Sequence, residues 1–153
     1  MKKSFLVLIT VVFVAAVVAV GLYGLKYKSY YEVIYPTSIK CDKYRIGDGE
    51  LIDFNVPPEG MSLGCNYYTT IRPGDATKIV IELVPTVYPT NATETDCTLV
   101  LVENCPGVTV DSEKKTVTID CTARAGQPFS FRVTVTSNHD TSLQQSVLFR
   151  VKP

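Results

Sequence analysis

Hydrophobic residues follow two unlike patterns along this chain. From Phe5 to Leu25 there are 21 consecutive residues without a charge, most of them Val, Leu, Ile, Ala or Phe. At about 1.5 Å per residue a helix of that length spans about 30 Å, the thickness of a hydrocarbon core. In lipid only a helix satisfies its own backbone without a partner strand. The run therefore predicts one membrane-spanning helix. The competing reading is a cleaved signal peptide, whose apolar region is usually about 7–15 residues long; Ala19 and Gly21 leave a weak cleavage site. The Tyr-rich stretch that follows predicts an interfacial collar of Tyr23, Tyr27, Tyr30 and Tyr31, or else a first strand over Tyr30–Tyr35.

Beyond the collar the period changes from helical to two. Lys78–Val84 is short and β-branched and stops at Pro85, and Cys97–Val102 is apolar on both faces. Thr116–Thr122 alternates with Val117, Ile119 and Cys121 on one side, and Phe129–Thr136 with Phe129, Phe131, Val133 and Val135 inward. The last strand carries Val147, Phe149 and Val151 on one face. Weaker strands are predicted at Leu51–Val56 and Leu63–Ile71. Turn signals separate them at Gly47-Asp48-Gly49, Pro57-Pro58, Pro73-Gly74, Pro106-Gly107, Gly126 and Asn138-His139-Asp140. Short strands at this spacing predict an all-β domain, an immunoglobulin-like β-sandwich of two sheets, preceded by one transmembrane helix. The expected division is an anchor or signal sequence over 1–28 and an extracytoplasmic domain over 29–153.

One hairpin is legible in register. If Asp111 faces Thr116 across the polar turn Ser112–Lys115, then Thr109 faces Thr118, and the ladder runs on toward Cys105 and Cys121. That brings these two cysteines nearly opposite each other, within the few ångströms a disulfide requires. The expected bridges are Cys105–Cys121 first and Cys41–Cys65 second, with Cys97 unpaired; five cysteines admit other pairings as well.

Pro106–Asp111, Lys115-Thr116-Val117 and Gly126–Thr136 together resemble the immunoglobulin-like, cadherin-like repeats of surface proteins. In that family a Pro-Gly turn leads into a hairpin and a Gly precedes an aromatic-rich strand. The resemblance covers about the last 50 residues. It departs at Lys114-Lys115, where the family has a Thr-Gly turn, and at Asp120-Cys121-Thr122, where it has Gly-Thr-Pro. It implies an immunoglobulin-like sandwich used for adhesion or assembly. Separately, Lys2-Lys3-Ser4 before Phe5 resembles the short basic leader of archaeal type IV pilins, although the helix lacks an early acidic residue.

Charge and cysteine usage locate the domain. Formal charge is balanced over the whole chain, but from Ser29 onward 11 Lys plus Arg stand against 15 Asp plus Glu. Without a basic face, nucleic acid is excluded as a partner. Lysines are equal in number at the two ends of the apolar run, so they decide no orientation. All five cysteines lie beyond the helix, with no Cys-x-x-Cys pair, which favours disulfides in an oxidising compartment over zinc. Asn91-Ala92-Thr93 is an N-glycosylation acceptor in a loop-like stretch. The domain is thus expected outside the cell or in an equivalent lumen.

Catalytic chemistry has few residues to draw on. His139 is the one histidine; it reads as an exposed turn residue, too few for a blue-copper or catalytic zinc centre. Asp42, Asp48, Glu50 and Asp53 form the densest acidic patch, without the regular spacing of a calcium loop. No phosphate-binding glycine loop or serine elbow occurs. The expectation is a non-enzymatic protein with no cofactor and no small-molecule substrate: a single-pass, membrane-anchored binding or assembly module of the cell surface that meets a protein partner or itself. Two alternatives stand beside it. One is a subunit of an extracellular pilus-like filament, built through the helix or by addition of the Tyr30–Tyr35 strand to a neighbouring copy. The other is an accessory subunit of a membrane enzyme complex, its helix packing through the small residues Ala15, Ala16, Ala19, Gly21 and Gly24.

Overall fold

In the computed structural model the chain separates into two units, Met1–Val33 and Ile34–Pro153. The structure describes residues 2–30, 33–61, 63–124 and 126–152, with the backbone alone at 2, 4, 6 and 24–30. In the first unit one helix, α1, runs over Lys2–Tyr30. Its described apolar side chains are exposed in nearly every consecutive position, among them Phe5, Val7, Leu8, Ile9, Val11, Val12 and Phe13. Described side chains run unbroken only from Val7 to Tyr23, and among the described residues no helix is long and apolar enough to cross a membrane. Tyr23 is exposed; the collar side chains of Tyr27, Tyr30 and Tyr31 lie outside the described residues. Residues 31 and 32 of the alternative strand over Tyr30–Tyr35 lie outside the described residues; the helix continues through Tyr30, residues 33–37 form no strand, and the first strand among the described residues begins at Ser38.

Among the described residues the second unit has eleven strands: β1 (Ser38–Lys40), β2 (Lys43–Ile46), β3 (Leu51–Asp53), β4 (Tyr67–Ile71), β5 (Lys78–Leu83), β6 (Thr86–Tyr88), β7 (Cys97–Leu101), β8 (Val108–Asp111), β9 (Thr116–Asp120), β10 (Phe129–Ser137) and β11 (Gln144–Val151). They form a five-stranded sheet in the order β3-β2-β5-β9-β8, a four-stranded sheet in the order β4-β11-β10-β7, and a small β1-β6 ribbon. Both larger sheets are open. Every pairing is antiparallel except β4 with β11, which run parallel from Tyr67 beside Val147 to Ile71 beside Val151. The predicted hairpin register is the observed one, Asp111 opposite Thr116 and Thr109 opposite Thr118.

Alternation decides which faces meet. Ile79, Ile81 and Leu83 of β5 and Val117 and Ile119 of β9 are buried, as are Val133 and Val135 of β10 and Val147, Phe149 and Val151 of β11. They belong to one core cluster, so the apolar faces of the two sheets close on each other. Aromatic rings fill its centre: Phe149 stacks on Phe131 with centroids 5.0 Å apart and meets Phe54 edge-on at 5.7 Å. One buried polar tie joins the sheets, Tyr44 of β2 to Thr69 of β4 through their hydroxyls at 2.9 Å. A second tie joins them at one edge, where the Leu99 amide donates to Ser112 Oγ at 2.9 Å.

Several strands differ from their predicted form. Cys97–Val102 is apolar on both faces in sequence, yet it lies at a sheet edge with Val100 and Val102 exposed. Cys121 follows the end of β9 and is half-buried rather than continuing the inward row of Val117 and Ile119. The turn between β8 and β9 accounts for the departure at Lys114-Lys115. Lys115 itself adopts φ +55°, the left-handed conformation that a glycine would take without strain. It is held there by its own bonds: its carbonyl accepts from the Leu83 amide at 2.8 Å, and its ammonium donates to the Ser112 carbonyl at 2.8 Å and to the Cys97 carbonyl.

Gly107, just before β8, is the turn glycine at which a side chain meets both strain and a clash. Its φ is +84°, and a Cβ there would sit 2.5 Å from the Ala123 methyl and 3.1 Å from the Asp120 carbonyl. Both clash and strain oppose a side chain, while the Gly107 carbonyl already accepts the Asp120 amide at 2.7 Å. Gly107→Ala is expected to lower unfolding free energy by about 2 kcal/mol, read as a drop in the urea midpoint. A variant within a few tenths of wild type would show that this turn rearranges freely.

Candidate functional site

The cysteines are the chemically richest side chains of the domain. All five are free thiols in this structure, so the expected Cys105–Cys121 and Cys41–Cys65 bridges are not bonded in it. Cys105 is buried, and its Sγ accepts from the Arg124 guanidinium at 3.6 Å; the Cys121 Sγ donates to the carbonyl of Ile119 in β9 at 3.8 Å. Cys41 is fully buried in the core whereas Cys65 is only half-buried in the loop before β4. Cys97, expected to be unpaired, begins β7 and is likewise buried.

Burial sets the chemistry of these thiols. It pushes the Cys41 pKa up to about 12, with the nearby charges of Cys97 and Asp42 adding to the effect. Burial also raises Cys97, against a lowering by the Lys115 ammonium, and raises Cys121, where Asp120 adds to it. Thiols held protonated in this way are poor nucleophiles.

His139 is a turn residue, as expected, but it is not isolated. Its ring stacks on Tyr35 with centroids 4.4 Å apart and planes 16° from parallel, and its Nδ1 lies 3.8 Å from Glu94 Oε2. The segment around Tyr35 is fixed by a reciprocal pair of bonds: the Ile34 amide donates to Thr93 Oγ1 at 2.9 Å and the Thr93 amide donates to the Ile34 carbonyl at 2.8 Å. Thr93 is the third residue of the Asn91 acceptor triplet, and Asn91 is exposed. Nothing in the sequence around His139 signals Tyr35 as its neighbour, because the contact spans most of the domain.

The acidic patch does not assemble. Asp48 and Glu50 lie at the closed end of the β2-β3 hairpin, while Asp42 and Asp53 lie at its open end, where Lys43 opposes Asp53. Among the described residues no group of three or more His, Cys, Asp or Glu side chains is placed to hold a metal. Two surface depressions lie beside the end of β9. One of about 290 Å³ is lined by Pro73, Gly74, Thr77, Cys121, Thr122 and Gly126, and one of about 400 Å³ by Thr77, Lys78, Thr118, Asp120 and Thr122. The Asp120 carboxyl between them is held below the usual range by hydrogen bonds from the Thr122 hydroxyl and amide. It serves as an acceptor for its own turn.

No family model matches the chain, and no curated protein matches it either.

Proposed function

We propose that this chain is a membrane-anchored, extracytoplasmic binding or assembly module, non-enzymatic, in which α1 is the anchor and the β-domain an immunoglobulin-like sandwich. The observation that carries the reading is the helix. Between Phe5 and Leu22 its described side chains are exposed and, Thr10 apart, apolar, and it belongs to an uncharged run of 21 residues. A helix with no polar face is stable only in lipid or among other apolar helices.

The strand order supports the immunoglobulin-like part. β2-β5-β9-β8 and β7-β10-β11 follow the A-B-E-D and C-F-G orders of such sandwiches, with β4 added parallel to the final strand. Five cysteines beyond the helix and an exposed Asn91 support an extracytoplasmic location. Membrane and a protein at the surface are the partners that follow.

The test is the intact mass and N-terminal sequence of the protein recovered from washed membranes and from sheared surface filaments. The expected result is a full-length chain in the membrane fraction that resists alkaline carbonate and is released by detergent. Recovery of a chain beginning at Phe5, or near Leu22, in sheared filaments would replace this reading with the filament subunit. Stoichiometric co-purification with a membrane enzyme would replace it with the accessory subunit.

A further inference from the structure

We propose that Cys41 and Cys97 form the disulfide of this domain, joining the segment between β1 and β2 to the start of β7. The inference concerns the folded domain alone and does not depend on where the chain resides.

Three hydrogen bonds tie the two positions to one end of the molecule. Lys43, two residues after Cys41, accepts at its carbonyl from the Val84 amide at 3.1 Å. The neighbouring Leu83 amide donates to the Lys115 carbonyl at 2.8 Å, and the Lys115 ammonium donates to the carbonyl of Cys97. Both cysteine side chains turn inward from there, Cys41 being 0% and Cys97 2% exposed, and both belong to the same core cluster. The charge of Cys97 is also felt at Cys41, second only to burial among the causes of its raised pKa. Both side chains therefore enter the same interior from opposite sides of the seam between the sheets: Cys97 opens an edge strand of the four-stranded sheet, and Cys41 leads into β2 of the five-stranded one. A bond here would close a long loop and clamp the two sheets together. It would also take Cys41 away from Cys65.

The chemistry is thiol–disulfide exchange with a small-molecule disulfide such as oxidised glutathione. One cysteine, deprotonated, attacks the glutathione disulfide, forming a mixed disulfide and releasing one glutathione thiolate. The second cysteine, deprotonated in turn, displaces the other glutathione. Two cysteine thiols and one oxidised glutathione become one protein disulfide and two reduced glutathiones; the protein is oxidised by two electrons and its two protons end on the released thiols. Because both thiols are buried and held protonated, the bond forms while the chain folds. The folded, reduced domain is expected to react at least about tenfold more slowly.

The experiment refolds the full chain in detergent with a glutathione redox buffer, blocks remaining thiols, and maps cross-linked peptides. Cleavage after Lys, Arg and Glu separates all five cysteines, since Glu103 lies between Cys97 and Cys105. The expected result is two fewer blocking groups per bridge than in the reduced chain, with one bridge or more, and a Cys41–Cys97 peptide pair that disappears on reduction. Recovery of Cys41 linked to Cys65, or of Cys41 and Cys97 both blocked as free thiols after oxidative refolding, would overturn the proposal. So would equally fast oxidation of the folded and the unfolded chain.

Discussion

Replacing Phe149 by alanine is expected to lower the unfolding free energy of the domain by about 3–5 kcal/mol. Phe149 is completely buried, and β11, which carries it, lies inside its sheet between β4 and β10. Its ring has two aromatic neighbours, Phe131 stacked at 5.0 Å with planes 11° apart and Phe54 edge-on at 5.7 Å with planes 81° apart. Truncation removes the largest fully buried side chain and leaves a cavity between two sheets that hydrogen bonds hold in register on both sides, so collapse can fill little of it. The lost aromatic pairs add about 0.5–1.5 kcal/mol each to the area term. The check is a urea unfolding curve with an unchanged slope and a lowered midpoint, set against Val100→Ala, whose side chain is 52% exposed on the edge strand β7. A loss below about 1 kcal/mol at Phe149, or a loss as large at Val100, would mean that the core is not where the two sheets meet.

Phe149 was recoverable from sequence because it alternates with Val147 and Val151 on one face of its strand, and the same alternation marks Val117 and Ile119 of β9 and Val133 and Val135 of β10. The register of the β8-β9 hairpin was legible for a related reason: a four-residue turn leaves few ways to pair Asp111 with its partner. Three strands were not legible. Ser38–Lys40, Lys43–Ile46 and Thr86–Tyr88 each bury one side chain, Ile39, Tyr44 or Val87, and one inward residue establishes no period. The parallel pairing of β4 with β11 was equally hidden, since parallel strands share no turn and these are separated by most of the domain. Cys97–Val102 misled through its composition: an edge strand can carry valines on its open face, and Val100 and Val102 do so. The cysteines show the limit most sharply. A local ladder suggests Cys105 with Cys121, whereas the Cys41–Cys97 pairing proposed above joins segments that are linked only when β2, β5 and the β8-β9 turn have come together.

The thiol of Cys41 makes the reduced protein sensitive to alkali. Its pKa is pushed from the ordinary 9.0 up to about 12, by burial first and then by the charges of Cys97 and Asp42. Below pH 9 the thiol is protonated in both folded and unfolded chains, and stability is unaffected by it. Between pH 9 and 12 the unfolded chain loses this proton while the folded one keeps it, so the unfolded state binds fewer protons and stability falls as pH rises. The slope is at most about 1.4 kcal/mol per pH unit, and the total approaches about 4 kcal/mol near pH 12. That is a large fraction of the stability of an ordinary domain, about 5–15 kcal/mol. Cys97, Cys121 and Tyr67 are shifted upward by burial as well and act with the same sign, so the absolute alkaline slope belongs to several groups. The difference between wild type and Cys41→Ala reports this thiol together with its effect on Tyr67, whose pKa Cys41 also raises and which acts in the same direction. With a reductant present, the two unfolding free energies should run parallel up to about pH 9 and converge above it, because only the wild type has this proton to lose. Parallel curves through pH 11 would show that Cys41 ionises as readily inside the domain as outside it. In oxidised protein the convergence should vanish as well, since a sulfur already bonded to Cys97 has no proton to release.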